Sequence, residues 1–290
     1  METQERNKKI RDLRQKKREL RREYRESRSQ MKTQNRFALE DLHDEYRVQK
    51  AMVSDPLKAE KKIASVEKKK ENRRKNEPPR RALLEEIGNS VSHGVGALVA
   101  IAFLVLMILK AHNALSLTAA IVYGSCFFLQ MLFSCLYHSF RGGSKVKAIF
   151  RRFDYSSIYL QIGGTFAPLY LIYMVEHIWG LAAGLSFFAI QWSLIALGIT
   201  FVGVFGPGRI RWLHFTLYFV IGWSGLMFLP FWAQDNLPLL FWILGGGIVY
   251  TVGMIPFAAL KKKKVAHFIW HLVVLTASIL MATGIYLCVF

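Results

Sequence analysis

The sequence predicts an all-α protein: an integral membrane bundle of seven transmembrane helices with a basic, partly helical cytosolic extension at its N-terminus. The 290 residues are 52% hydrophobic, yet the formal net charge is +19. The charges are segregated, because residues 1–81 contain 27 basic and 15 acidic side chains, whereas residues 82–290 contain 12 and 5. Such a low charge density over 209 residues is typical of a membrane domain, since ordinary globular domains are roughly 25% charged.

The extension, residues 1–81, is helical in propensity but has too few large apolar residues to build a sizeable core. Pro78 and Pro79 interrupt the chain before the membrane domain, residues 82–290. Lys17 and Ser27 stand at core positions of a possible heptad pattern, which favours a solvated, partly helical tail over a regular coiled coil. The apolar members of that pattern are Ile10, Leu13, Leu20, Tyr24 and Met31.

Seven apolar segments are long enough to cross the roughly 30 Å of hydrocarbon in a bilayer. They are separated by short loops, as in an up-and-down bundle. The segments are residues 90–109, 115–139, 154–175, 180–204, 212–232, 238–260 and 266–289.

The basic residues of the loops predict the orientation of the bundle. Loops 140–153, 205–211 and 261–264 carry 11 basic residues, whereas the loops on the other side carry Lys110 as their one base. Because basic loops stay in the cytoplasm, we expect a multi-pass protein of the cell membrane with a cytoplasmic N-terminus and an extracytoplasmic C-terminus. Aromatic residues near the span ends predict interfacial belts, and they are Tyr170, Trp179, Trp212, Trp232 and Trp242.

Ionisable side chains at membrane depth are costly and mark functional sites. In the predicted orientation, those of this sequence, with several polar residues beside them, lie at the cytoplasmic ends of their spans. They are Glu85, Glu86, Asn89, Ser92, His93, Ser134, His138, Asp154, His214, His267 and His271.

A metal site is the sharpest prediction from this group. His267 and His271 are spaced i, i+4, so both imidazoles lie on one face of a helix, as in helices that present two ligands to zinc. His138 supplies a third ligand at the same depth, and three histidines leave a fourth position of Zn²⁺ open for water, as in catalytic sites. Ser134, one turn before His138, points into the same cavity, and Asp154 is predicted to orient the water and take its proton.

The alternative for any single histidine is a hydrogen bond between helices. His214 has no partner in sequence, and we interpret it as a structural or interfacial residue. The cysteines, Cys126, Cys135 and Cys288, have no metal-binding spacing, and we interpret them as small buried apolar residues.

These residues fall in motifs that resemble the haemolysin III family, within the progestin and adiponectin receptor superfamily. The resemblance covers about residues 82–290 and excludes the extension. Its motifs are Glu85-Glu86-Ile87-Gly88-Asn89-Ser90-Val91-Ser92-His93-Gly94, Ser134-Cys135-Leu136-Tyr137-His138-Ser139, Asp154-Tyr155-Ser156-Ser157-Ile158-Tyr159 and His267-Phe268-Ile269-Trp270-His271.

The resemblance implies a seven-helix bundle with zinc near its cytoplasmic face, held by His138, His267 and His271. It places the family's serine and aspartate beside the metal, on Ser134 and Asp154. The roles of Glu85, Asn89 and His93 stay open; packing and hydrogen bonding around the site entrance is one interpretation. The superfamily includes alkaline ceramidases, which implies zinc-dependent hydrolysis of a lipid amide.

We therefore expect a zinc-dependent hydrolase of a lipid amide or ester. Two alternatives stay open: a receptor-like sensor of membrane stress with structural zinc, and a pore-forming haemolysin. The expected partners are membrane lipids, with anionic lipid attracted to the cluster from Lys68 to Arg81. No specific nucleic acid is expected, because basic charge alone gives nonspecific affinity. Homo-oligomerisation and a cytosolic partner of residues 1–81 stay open.

Overall fold

The computed structural model describes residues 2–30, 36–259 and 266–290, which form helices and contain no β-strand. The basic segment 261–264, used above to predict the orientation, lies outside these residues. The chain divides into two compact units, Met1–Lys75 and Asn76–Phe290.

The first unit consists of three helices: α1 (Glu2–Gln30), α2 (Arg36–Ser54) and most of α3 (Pro56–Asn76). Tyr24 of α1 stacks on Tyr46 of α2 with ring centroids 4.4 Å apart. Asp44 of α2 is buried and lies 2.6 Å from Lys69 of α3. These contacts pack α2 against both of its neighbours, although the unit has few buried apolar residues.

Much of the basic cluster from Lys68 to Arg81 is engaged in ion pairs. Arg73 contacts Asp41 at 3.0 Å, in addition to the contact between Lys69 and Asp44. Lys70, Lys75 and Arg81 lie within 4 Å of Glu45, Glu71 and Glu85, respectively. The positive charge available to an anionic surface is therefore smaller than the count of basic residues indicates.

The second unit contains the seven predicted membrane spans, each long and apolar enough to cross a bilayer. Their outward faces expose large apolar side chains, as a lipid environment requires. The helices are α4 (Leu83–Lys110), α5 (Ala114–Ser139), α6 (Lys145–Pro168), a π-helical segment (Leu169–Met174), α7 (Val175–His177), α8 (Gly180–Phe205), α9 (Arg211–Trp223), a 3₁₀ segment (Ser224–Phe228), α10 (Leu229–Asp235), α11 (Leu237–Ala259) and α12 (Ala266–Cys288).

Two spans begin well before the apolar segments that predicted them. Helix α4 begins at Leu83 rather than at residue 90, and α6 begins at Lys145 rather than at residue 154. The hydropathy pattern stops at charged residues, but the helices continue because Glu86 and Lys147 pair with each other at 2.9 Å. Ser144 caps α6 by accepting a hydrogen bond from the Lys147 backbone N–H.

Helices α4, α5, α6 and α12 pack around the end of the bundle that carries the polar residues. Helices α4 and α5 approach closely where Gly96 faces the side chain of Met131, because a Cβ at position 96 would lie 2.7 Å from the Met131 sulfur. The close approach brings the polar faces of α4 and α5 together.

Two of the five aromatic residues assigned to interfacial belts are instead in the protein core. Trp179 and Trp212 are exposed, but Trp232 and Tyr170 are 1% and 2% exposed. Both pack on Phe228 within one apolar cluster. The fifth and third spans are interrupted here, by the 3₁₀ and π-helical segments, so these residues lie inside the bundle rather than at a regular helix end.

The first residues of the second unit, Asn76 and Glu77, are hydrogen-bonded to its third and fourth spans. The Asn76 side chain donates to the Phe205 carbonyl at 3.0 Å and accepts from the Gly208 N–H at 2.9 Å. The Arg151 guanidinium of α6 donates to the Glu77 carbonyl at 2.9 Å.

Candidate metal centre

Three histidines from two helices converge at one end of the bundle. His138 is near the C-terminus of α5, and His267 and His271 lie on consecutive turns of α12. One ring nitrogen of each lies within 4.8 Å of one nitrogen of each of the others. The Nε2 atoms of His267 and His271 are 3.0 Å apart. The structure thus brings together the three histidines that the sequence analysis selected.

The Nδ1 side of His138 is held by a carboxylate, which leaves its Nε2 facing the other histidines. Glu86 of α4 lies 2.5 Å from Nδ1 of His138, and the Asn89 amide lies 3.4 Å from the same nitrogen. Nε2 of His138 is buried and has no hydrogen-bond partner among the described residues. When Nδ1–H donates to Glu86, Nε2 carries the lone pair that a metal requires.

Lys147 holds Glu86 from the opposite side. Its side chain is buried, and Nζ donates to Glu86 at 2.9 Å and to the Phe140 carbonyl at 3.0 Å. Nζ also lies 4.9 Å from the centre of the Tyr137 ring. Sequence reasoning counted Lys147 as one of several loop bases, so this buried ion pair was not foreseen.

His271 has a comparable partner on α4. Nε2 of His93, whose side chain is buried, lies 3.0 Å from Nδ1 of His271 and 3.2 Å from the backbone carbonyl oxygen of the same residue. One nitrogen of a neutral imidazole cannot both donate to the carbonyl and accept from Nδ1, so this contact holds the His271 ring in place without fixing its tautomer. Helix α4 therefore contacts the Nδ1 side of both His138 and His271.

The signal for this role of α4 was present in the sequence but was not used. Glu86, Asn89 and His93 recur at three- and four-residue spacing, which places them on one helical face. Glu85, which sequence reasoning considered equally with Glu86, lies 3.3 Å from Arg81 instead.

Ser134 and Asp154 line one cavity together with His267 and His271. Ser134 is buried and lies beside the Asp154 carboxyl, which itself is partly open to the cavity. The cavity has a volume of about 230 Å³ and continues from the histidines into the apolar interior. The group of ligand atoms within 4.8 Å of one another consists of the three histidines and does not include a carboxylate oxygen of Asp154.

This arrangement could hold a metal ion. Imidazole nitrogens are ligands for zinc and several other transition metals. Ligands about 2.0–2.1 Å from a tetrahedral metal are roughly 3.3 Å apart, close to the 3.0 Å that separates Nε2 of His267 from Nε2 of His271. The unpartnered, buried Nε2 of His138 completes a set of three nitrogen donors.

His214 and the three cysteines, which the sequence analysis also considered, lie outside the histidine cluster. His214 is buried and lies 3.0 Å from the Tyr159 hydroxyl, in a cluster formed by α6 and α9. The cysteines are free thiols, and Cys126 is buried.

Comparison with known proteins agrees with the motifs at this site. A family model described as haemolysin-III related matches residues 81–282. The chain is 36% identical over 201 residues to "Hemolysin-3" of Bacillus cereus, which covers 68% of this chain and 88% of that protein. It is 34% identical over 201 residues to "Hemolysin-3 homolog" of Bacillus subtilis (strain 168), covering 68% and 91%. The chain belongs to the haemolysin III family, a branch of the progestin and adiponectin receptor superfamily.

Proposed function

We propose that this multi-pass membrane protein binds Zn²⁺ through His138, His267 and His271 and hydrolyses an amide or ester of a membrane lipid. The observation that carries the proposal is the buried, unpartnered Nε2 of His138, which faces the other two histidines where their cavity also meets Ser134 and Asp154. Three protein ligands favour a catalytic over a structural site, because structural zinc sites are usually closed by four.

Zinc at this site would supply a Lewis acid that polarises a carbonyl and lowers the pKa of a water molecule. Asp154 is the group placed to accept a proton from the attacking water and to return it to the leaving nitrogen or oxygen. The Ser134 hydroxyl, beside that carboxyl and buried without a hydrogen-bond partner among the described residues, would donate its one proton to the substrate oxygen. Glu86 would keep His138 in the tautomer that presents Nε2, and His93 would hold the ring of His271 in place.

The shape of the cavity supports a lipid substrate. Beyond the histidines it is lined mainly by apolar side chains, which suit a hydrocarbon chain. These include Ile162, Phe166, Leu169, Phe219, Trp223 and Leu226. A substrate dissolved in the bilayer would place its polar linkage at the histidines and its chain in this apolar part.

We propose a cytoplasmic position for the metal centre and the N-terminus, with the C-terminus outside. The support is the excess of basic residues in the loops at the histidine end. A cysteine introduced next to the C-terminal Phe290 would then react with an impermeant maleimide in intact cells, whereas one introduced in α1 would react after lysis. The reverse pattern would contradict this orientation.

Metal analysis of the purified protein tests the zinc site. Wild-type protein should hold about one zinc per chain, and His138→Ala should lose most of it. His214→Ala serves as the matched control, because His214 is a buried histidine in the same unit but not in the metal cluster. Equal zinc contents in wild type and His138→Ala would contradict the site.

Hydrolysis is tested separately with Asp154→Asn. This variant should retain its zinc and lose turnover of lipid amides and esters supplied in mixed micelles, because it lacks the group that accepts the proton. Identical lipid turnover in cells that express wild type or His271→Ala would rule out a zinc-dependent hydrolase. If zinc proves necessary for stability while no lipid is consumed, the sensor with structural zinc is favoured.

The name hemolysin, which both relatives carry, suggests a second candidate, a membrane-lysing activity. Purified protein added to dye-filled vesicles should release the dye if this protein forms pores. The mainly apolar lining of the cavity favours hydrolysis of a lipid over a wide aqueous channel.

A further inference from the structure

A second group of polar side chains borders the same cavity deeper in the bundle. Gln130 of α5 and Gln161 of α6 are 5% and 6% exposed, and both line the cavity. Tyr250 of α11 also lines it, and its hydroxyl lies 2.6 Å from that of Ser278 on α12. We call Gln130, Gln161, Tyr250 and Ser278 the inner polar layer.

The inner polar layer lies at one depth. On α5, Gln130 precedes His138 by eight residues, and on α12, Ser278 follows His271 by seven. At 1.5 Å per residue, these spacings correspond to about 10–12 Å along the helices. Gln161 lies at a similar depth, seven residues after the start of the Asp154 motif on α6. A chain that runs from the histidines into the cavity therefore meets this layer about 10 Å along its length.

The two glutamines have hydrogen-bonding atoms without partners. Oε1 of Gln130 and Oε1 of Gln161 are buried and make no hydrogen bond among the described residues. Nε2 of Gln161 lies beside the Tyr250 hydroxyl, the partner of Ser278, and its second N–H is available to a ligand. Buried polar groups of native proteins are nearly always paired, so unpartnered atoms that border a cavity indicate a ligand or an ordered water.

We propose that the inner polar layer recognises a hydroxyl group on the hydrocarbon chain of the lipid substrate. A hydroxyl both donates and accepts, so it can donate to Oε1 of Gln130 and accept from Nε2 of Gln161. The proposal rests on the proposed function for the end of the lipid that lies at the histidines. It adds the substrate class: lipids with a hydroxyl roughly eight to ten carbons from the hydrolysed carbonyl.

Equilibrium binding of free fatty acids to the purified full-length protein tests this layer without any turnover. The probes are stearate, 10-hydroxystearate and 2-hydroxystearate, each presented in the same detergent. The carboxylate, the product of the proposed hydrolysis, occupies the histidine end in all three. Wild type should bind 10-hydroxystearate roughly three- to tenfold tighter than stearate, the effect of one additional hydrogen bond.

The positional isomer 2-hydroxystearate controls for polarity and for partition into detergent. Its hydroxyl lies beside the carboxylate and cannot reach the inner polar layer, so it should show no such gain. Equal affinities for the three acids in wild type would overturn the proposal, and this comparison needs no variant. Equal affinities would mean that ordered water, and not a lipid hydroxyl, occupies the space beside the two glutamines.

Variants then assign the preference to the glutamines. Gln130→Met and Gln161→Met should bind stearate normally and lose the preference for 10-hydroxystearate. Gln191→Met should retain it, because Gln191 is a buried glutamine of α8 outside the cavity lining. Without lipid, the two cavity variants should melt at or above the wild-type temperature, since an apolar side chain replaces an unpartnered polar one.

The outcomes separate this proposal from the proposed function. A preference for 10-hydroxystearate in a protein that hydrolyses no lipid supports the inner polar layer and rejects the hydrolase. Hydrolysis of lipids by a protein that shows no preference for 10-hydroxystearate supports the hydrolase and rejects the role of the inner polar layer. A Gln161→Met protein that melts earlier and keeps the preference would assign the amide to bundle stability and overturn the proposal.

Discussion

The Glu86 carboxylate lies 2.5 Å from Nδ1 of His138, with its other oxygen 2.9 Å from Nζ of the buried Lys147. Three helices are joined by this contact, since Glu86 belongs to α4, His138 to α5 and Lys147 to α6. The orientation of a candidate metal ligand thus depends on a helix that supplies no ligand itself. The positive charge of Lys147 offsets the cost of placing a carboxylate at this depth.

Replacing Glu86 by glutamine should weaken zinc binding by about ten- to a hundredfold, the usual effect of removing the partner that orients a ligand histidine. Competition with a chromogenic chelator would measure this affinity in the purified protein. Glu85→Gln is the matched control, because Glu85 contacts Arg81 instead of a histidine. Equal zinc affinities for both variants would show that Glu86 does not position His138.

Lys147→Met should lower the free energy of unfolding by about 1–3 kcal/mol, because it leaves the partly buried Glu86 carboxylate without its cation. Lys145→Met, on an exposed side chain of the same helical turn, should have little effect. The double variant Lys147→Met/Glu86→Gln should be less destabilised than the sum of the two single changes. Thermal unfolding of the wild type, the three single variants and the double variant in one detergent checks the prediction, and strict additivity of the Lys147→Met and Glu86→Gln effects would contradict it.

Removal of the metal should lower the melting temperature of the wild type. A ligand present at a hundred times its Kd stabilises the folded state by about 2.7 kcal/mol, and here it would bridge α5 and α12. His271→Ala should already melt at the lower temperature and should not respond to a chelator. A wild type that melts at the same temperature with and without chelator would contradict a bound metal at this site.

The seven spans were predictable from the length of their apolar segments, and the histidine cluster was predictable from helical periodicity. His267 and His271 share a face by their spacing alone, and His138 is placed at their depth by the alternation of spans. The partners on α4 were harder to predict, since two adjacent glutamates precede the span and hydropathy cannot say which one turns inward. Both side chains are partly buried, and the contact between α4 and α5 places Glu86 rather than Glu85 beside His138.

The inner polar layer could not be read from the sequence for a different reason. Gln130, Gln161 and Ser278 are uncharged and isolated within apolar segments, so each alone suggests an ordinary contact between helices. They become a group when α5 and α6 place the two glutamines beside one cavity, which Tyr250 of α11, the partner of Ser278, also lines. The burial of Lys147 was equally hidden, because loop bases in sequence are expected to face water.

Gly198 is expected to be intolerant of a larger residue because the Tyr159 ring occupies the space of its missing side chain. Gly198→Ala should lower the free energy of unfolding by about 1–3 kcal/mol, the cost of overpacking a well-packed site, by displacing the ring that contacts His214. In Gly203→Ala, five residues further along α8, the added methyl group meets nothing within 4 Å. That variant should match or exceed the stability of the wild type, since alanine favours a helix over glycine by about 0.5–1 kcal/mol. Thermal unfolding distinguishes the two, and equal melting temperatures for both variants would mean that α6 and α8 are less closely packed at Tyr159 than the structure indicates.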